Sequence, residues 1–213
     1  ISLKIQQTSS DTYLKADKLE NEITSDYNVL ENSLGLDVYS DDLSISFNTD
    51  VYEDLNKDKN DRYEYILPRI NLVKNIENKT NLNGNFTFES QALIRNYNTN
   101  VFERNNINDL IFKSYPKITK NGFYNNYEFL IKNSNISNKN STYKNNESIY
   151  LSSIFQYNSS LPMIKENDFY RKILKPKFSL KLAPTHTKDN KNQDIKIDLS
   201  NIYSIDRLSD KTT

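Results

Sequence analysis

The sequence predicts an all-β protein, an antiparallel up-and-down meander of about ten strands. Three observations carry this. Apolar and polar residues alternate with period two over long runs, turn-forming clusters separate those runs, and no convincing helical stretch of ten or more residues interrupts them. The clearest runs are 29–39 (Leu30, Leu34, Leu36 and Val38 against Glu31, Ser33, Gly35 and Asp37) and 43–51 (Leu43, Ile45, Phe47 and Val51 against Ser44, Ser46, Asn48 and Asp50). Next come 85–94 (Phe86, Phe88, Ala92, Ile94), 123–131 (Phe123, Tyr127, Phe129, Ile131) and 174–182 (Leu174, Phe178, Leu180, Leu182). Weaker strands are expected at 1–7, 63–74, 107–115, 148–158 and 194–203. The nearest approach to helical spacing is 13–24.

Ser40-Asp41-Asp42, Asn56 to Asp61, Asn75 to Asn83 and Asn133 to Asn146 supply the turns. The last is long and almost wholly polar, so 134–147 is expected to be an irregular excursion with little to bury.

Composition excludes several function classes. The 213 residues hold 28 basic and 28 acidic side chains, without the basic excess of an electrostatic nucleic-acid binder. With no Cys there is no thiol catalysis, disulfide framework or thiolate zinc site. Three glycines (Gly35, Gly84, Gly122) cannot build a phosphate loop. No apolar run approaches the ~18 residues of a membrane-spanning helix. The 32 Asn residues invite disorder, but 15 Tyr and 10 Phe argue against it, because disordered chains lack aromatics. The chain opens at Ile1 inside an alternating run, and its only Met is Met163, so it reads as an internal fragment without a visible signal peptide.

Alternation alone does not say which face is inside. A soluble sandwich turns its apolar face inward and usually has strands of ~5–6 residues. An outer-membrane barrel turns that face to lipid over ~9–11 alternating residues. Runs of nine to eleven residues, with Glu, Lys, Asn and Asp on the polar side, favour the barrel.

Five collinear strings resemble the LptD family of outer-membrane lipopolysaccharide-assembly proteins, in its alphaproteobacterial form. They are SSDTYL at 9–14, DRYEYILPRINL at 61–72, NGNFTFESQALIRNYN at 83–98, LKPKFSLKLAP at 174–184 and DLSNIYSIDRLSD at 198–210. Lys175 replaces the family's usual Glu, Asp210 stands where Gly is expected, and members with disulfides differ from this Cys-free chain. The resemblance implies that 1–213 is part of a single transmembrane barrel domain in the cell outer membrane, appearing here as an open curved sheet. It implies no enzymatic activity and no cofactor. The implied partners are lipopolysaccharide, outer-membrane lipid, a lipoprotein plug subunit of the LptE kind and periplasmic bridge components, and no nucleic acid. Leu43, Ile45, Phe47, Phe86, Phe88, Phe178, Leu180 and Leu182 are the expected lipid-facing residues. The alternatives are another outer-membrane channel or receptor barrel, or a soluble all-β surface adhesin or binding domain.

Candidate chemical residues are few. His186, the sole His, sits in the polar string APTHTKDN without partner carboxylates and reads as a solvated side chain rather than a base. Asp54, Asn56 and Asp58 have the opening spacing of a calcium loop, but Lys59 occupies its glycine position and Tyr65 its bidentate Glu position. A hairpin loop without metal is expected. Sequons at Asn78, Asn85, Asn135, Asn140, Asn146 and Asn158 follow from the Asn content. Tyr39, Tyr52, Tyr97, Tyr115, Phe123 and Tyr157 near strand ends could form interfacial girdles, or simply reflect strand propensity. The Arg171-Lys172 pair and the lysines from Lys175 to Lys181 could meet lipopolysaccharide phosphates, though solvation is their ordinary role.

Overall fold

The computed structural model describes residues 1–17, 26–141, 146–167, 169–184, 197–199 and 201–206. Long alternating runs became long strands. These are β1 (Ser2–Lys4), β2 (Val29–Tyr39), β3 (Leu43–Asp54), β4 (Tyr63–Ile76), β5 (Gly84–Tyr97), β6 (Val101–Ser114), β7 (Lys117–Ile118), β8 (Tyr124–Lys139), β9 (Asn146–Ser160), β10 (Met163–Glu166), β11 (Arg171–Leu174) and β12 (Lys177–Leu182). One helix, α1 (Tyr13–Asp17), lies within the stretch of helical spacing; 18–25 lie outside the described residues.

Ten strands form one antiparallel sheet in the order β1-β2-β3-β4-β5-β6-β8-β9-β12, with β7 paired to β8 off this path, while β10 and β11 form a separate hairpin. It is a meander of neighbours in sequence, open rather than closed into a barrel. Apart from the two-residue β7, the strands from β2 to β9 have 11 to 16 residues and exceed the ordinary ~5–6.

Register is nearly continuous. The exception is in β4, where Ile66 pairs with Arg95 and Arg69 with Leu93, leaving Leu67 and Pro68 as a bulge whose peptide is cis. Proline has no N–H for the ladder, so within a central strand it belongs at such a bulge. At the start of β5 the chain needs glycine. A Cβ on Gly84 would lie 2.5 Å from the Lys113 carbonyl oxygen and 2.6 Å from Cζ of Phe112, whose ring covers that position. Gly84→Ala must therefore move backbone, and is expected to destabilise the protein by ~1–3 kcal/mol in equilibrium unfolding. A variant as stable as the parent would show that the β5–β6 pairing is loose there.

Four expectations need correction. Residues 134–139, 146 and 147 are strand rather than irregular: β8 continues to Lys139, β9 begins at Asn146, and Ser134, Ile136 and Asn138 pair with Tyr150, Ser148 and Asn146, while 142–145 lie outside the described residues. Ladder hydrogen bonds come from backbone, so a polar run is no bar to a strand once neighbours flank it. Leu174 ends β11, and β12 starts only at Lys177, after Pro176. Phe123 precedes β8. The strand expected at 194–203 is absent among the described residues, where 197–206 runs through turns; 194–196 and 200 lie outside them.

Candidate functional site

Directly paired residues in an antiparallel sheet share a face, so the register assigns every side chain. Leu36 pairs with Phe47, Phe47 with Ile70, and Ile70 with Ala92. A parallel row runs from Ile76 through Phe86, Phe112, Phe129 and Phe155 to Leu182. All eight residues expected on the lipid side, Leu43, Ile45, Phe47, Phe86, Phe88, Phe178, Leu180 and Leu182, fall on this one face. Its rings lie in sequence across strands, with Phe86–Phe112 centroids 4.7 Å apart, Phe112–Tyr127 5.7 Å and Tyr127–Phe155 6.3 Å.

Burial is inverted with respect to a soluble core. On the apolar face Leu34, Leu36, Val38, Phe129, Leu151, Phe178, Leu180 and Leu182 are exposed, while Leu30 and Phe112 are buried. On the opposite face Glu103, Asn105, Asp109, Lys132, Ser134, Ser152 and Gln156 are buried, Lys132 to 1% exposure and Gln156 to 0%. The contrast is sharpest in β6, β8 and β9; in β2 to β5 most side chains of both faces are half-buried. The polar face is not uniformly polar. Ile66, Leu93, Ile107, Leu130, Ile136 and Ile154 are buried on it, between the polar positions, so it is a mixed surface that carries more than the Glu, Lys, Asn and Asp read from the sequence.

Two ionic groups organise this inner face. Arg95 donates through Nε to Glu64 at 2.7 Å, lies 3.8 Å from Glu103, and sits 4.0 Å over the Tyr97 ring; the Tyr97 hydroxyl donates to Glu103 at 3.1 Å. Lys132 Nζ lies 2.9 Å from Asp206 and 3.4 Å from Asp109, its cross-strand partner. Asp206 belongs to the turn segment 201–206, which is latched to the same face. Gln156 donates Nε2–H to the Tyr203 carbonyl at 2.7 Å, and Lys181 donates to the carbonyls of Ser204 and Ile205. Lys177 Nζ lies 5.3 Å from the Tyr203 ring centre. Several buried polar atoms here have no hydrogen-bond partner, among them Ser134 Oγ, Ser152 Oγ and both amide atoms of Asn105 and Asn138. Burying such groups costs about 1–3 kcal/mol each unless something polar meets them.

The sequence did not reveal this latch. Lys132 and Asp109 have matching parity in their strands, but only the β6–β8 register brings them together, and nothing local marks 201–206 as their third partner.

Girdle assignments divide by parity. Tyr157 projects from the apolar face, and Tyr115 and Phe123 lie in the connection before β8. Tyr39, Tyr52 and Tyr97 project from the polar face, so they cannot belong to a lipid-side girdle. Tyr63 and Tyr65, not singled out from sequence, stack 6.0 Å apart on the apolar side at the end of β4.

Residues 55–62 join β3 to β4 as expected of a hairpin loop. Its carboxylates point to different partners: Asp54 accepts from the Asn56 backbone at 3.0 Å, and Asp61 accepts from the backbone and hydroxyl of Thr99, both at 2.6 Å. The folded protein is accordingly expected to bind no calcium at micromolar concentration by isothermal titration. Uptake abolished by Asp58→Ala would overturn this. His186 lies outside the described residues.

At the same end Arg62 clips the amino-terminal segment to the hairpin, donating to Asp11 at 2.5 and 3.0 Å and to Glu53 at 2.6 Å. The hydrogen bond from Arg62 holds the Asp11 carboxyl below its ordinary 3.8. A lowered folded pKa means the clip contributes above the unfolded value and is lost as pH falls through the lowered one. Protection factors at 11–17, which are referred to the intrinsic exchange rate at each pH, should thus stay constant from neutral pH down to about 4 and fall only in stronger acid. A fall beginning near pH 6 would assign the contact to another group.

Neither a known protein family nor a curated protein matches this chain.

Proposed function

We propose that the chain is part of the wall of an outer-membrane β-barrel of the lipopolysaccharide-assembly class. One observation supports the wall above all: the apolar face of a long-stranded sheet is the exposed one, while charged and amide side chains on the other are buried. Burying Lys132, Asp109 and Glu103 in preference to Phe178 and Leu180 is costly in water and favourable where lipid covers the outside. Orphaned amides and hydroxyls on the inner face suit a hydrated interior.

The assembly role rests on the five collinear strings that resemble LptD, from SSDTYL at 9–14 to DLSNIYSIDRLSD at 198–210. On this reading the protein is no enzyme. It resides in the outer membrane and works through a wall of two chemistries, with lipid outside and lipopolysaccharide, a lipoprotein plug and periplasmic bridge components as its partners.

The test is membrane fractionation of its source cells, paired with surface lipopolysaccharide labelling after the protein is depleted. Recovery in the outer membrane with loss of surface lipopolysaccharide is the expected result. Outer-membrane recovery with unchanged lipopolysaccharide would leave a channel or receptor barrel instead. Recovery as a soluble protein would favour the adhesin, with Ile107, Leu130, Ile136 and Ile154 as its core.

A further inference from the structure

The fold divides the lysines that crowd the sequence from Lys172 to Lys181. Lys172 belongs to the separate β10–β11 hairpin, where it pairs with Lys165 and lies 4.8 Å from the Tyr170 ring centre. Lys181 is committed to the carbonyls of Ser204 and Ile205. Lys175 and Lys177 flank Pro176, whose carbonyl accepts the Leu161 N–H at 3.1 Å just beyond β9. That bond and the pairing of Lys177 with Ser160 fix this short segment at the end of β9. There both lysines line a cavity of about 280 Å³, together with Lys113 from the end of β6 and Tyr203 from the docked segment 201–206.

Charge in this cavity is unbalanced. Its lining carries one carboxylate, Glu128, which lies 3.8 Å from Lys113 and accepts from the Asn126 amide at 3.1 Å. Lys175 makes no hydrogen bond or ion pair with the described residues, and Lys177 Nζ meets only the Tyr203 ring among them, at 5.3 Å. By contrast Arg95 and Lys132, elsewhere on the inner face, each stand between two carboxylates. Three ammonium groups less one carboxylate leave a surplus of two positive charges. Cations gathered in this way repel one another unless an anion enters between them. A compact ammonium with three donors suits phosphate oxygens as a point charge.

We propose that this cavity binds a phosphate-class dianion, and that the bound anion ties segment 201–206 to the sheet. The surplus matches the charge of about −1.5 to −2 that a phosphate monoester carries near neutral pH. The cavity's volume lies at the lower limit of small-molecule sites, ~300–1,000 Å³, which fits a compact anion rather than an acidic peptide. Tyr203 supplies the link to the segment. Its ring faces Lys177, and its hydroxyl donates to the Lys177 carbonyl at 3.4 Å. An anion that fixes Lys177 therefore fixes the surface on which Tyr203 rests, and binding and docking favour each other reciprocally. Lys113, Glu128 and Lys177 all belong to the inner face by register, so the site does not depend on lipid covering the outer one.

Isothermal titration of the intact protein with inorganic phosphate, against chloride at matched ionic strength, tests the site directly. Saturable uptake of phosphate alone is expected. The double variant Lys175→Gln with Lys177→Gln should weaken it about tenfold or more, and Arg171→Gln with Lys172→Gln should leave it unchanged. Amide exchange at 201–206 should slow several-fold when phosphate is added to the parent, and should not respond in the Lys175 and Lys177 double variant. No preference for phosphate over chloride, or equal weakening in both double variants, would overturn the site. Uptake with unchanged exchange would overturn its tie to the segment. Micelles containing short-chain phosphatidic acid, against phosphatidylcholine alone, separate the two sources of this chemistry. Competition with phosphate by phosphatidic acid assigns the occupant to a lipid headgroup, and its absence assigns it to a soluble phosphate.

Discussion

If the proposed barrel wall is right, Arg in place of Phe88 or Leu180 is expected to cost ~2–4 kcal/mol of stability in the membrane, because a guanidinium would be placed on the lipid side near midplane. Arg in place of their neighbours Glu89 or Lys181 is expected to be mild, since those side chains leave from the polar face. The pairs differ by one residue and the strand backbone is common to both, so propensity and local geometry cancel. Folding yield into lipid vesicles and urea unfolding of the inserted protein read the difference. Comparable losses at both parities would sink the outward-apolar assignment.

The second large effect lies on the inner face. Lys132→Met is expected to destabilise by ~3–5 kcal/mol, because it leaves the Asp109 carboxylate buried at 2% exposure and frees Asp206 of its cation. The cost belongs to the stranded charge, not to the ion pair as such. A triple variant, Lys132→Met with Asp109→Asn and Asp206→Asn, should therefore recover much of the loss. Segment 201–206 should also become more open to proteolysis in the single variant, since the ion pair that ties Asp206 to the sheet would be lost. A Lys132→Met protein as stable as the parent, with the segment still protected, would remove the latch from any structural role.

Strand existence and facing were legible in the residues because alternation is a local record of two-faced burial. Leu43, Ile45 and Phe47 share a face whatever they pair with, and so do Phe86 and Phe88. The Asn-rich half of β8 was not legible. Ser134 to Lys139 carry little apolar signal, and they are strand because β6 and β9 offer backbone partners on either side. The girdle candidates divide for a related reason. Position near a strand end could be read, but the face of Tyr39, Tyr52 and Tyr97 needed parity traced through several registers.

The sequence by itself determined the class, the approximate strand number and which residues within each strand share a face. These follow from period-two spacing and need no long-range information. Tertiary structure alone decided which face is buried, where 201–206 docks, and that Lys132 stands between Asp109 and Asp206. Each of these depends on register between strands, and register is a sum of pairings made far apart in the chain, which no single strand's residues can state.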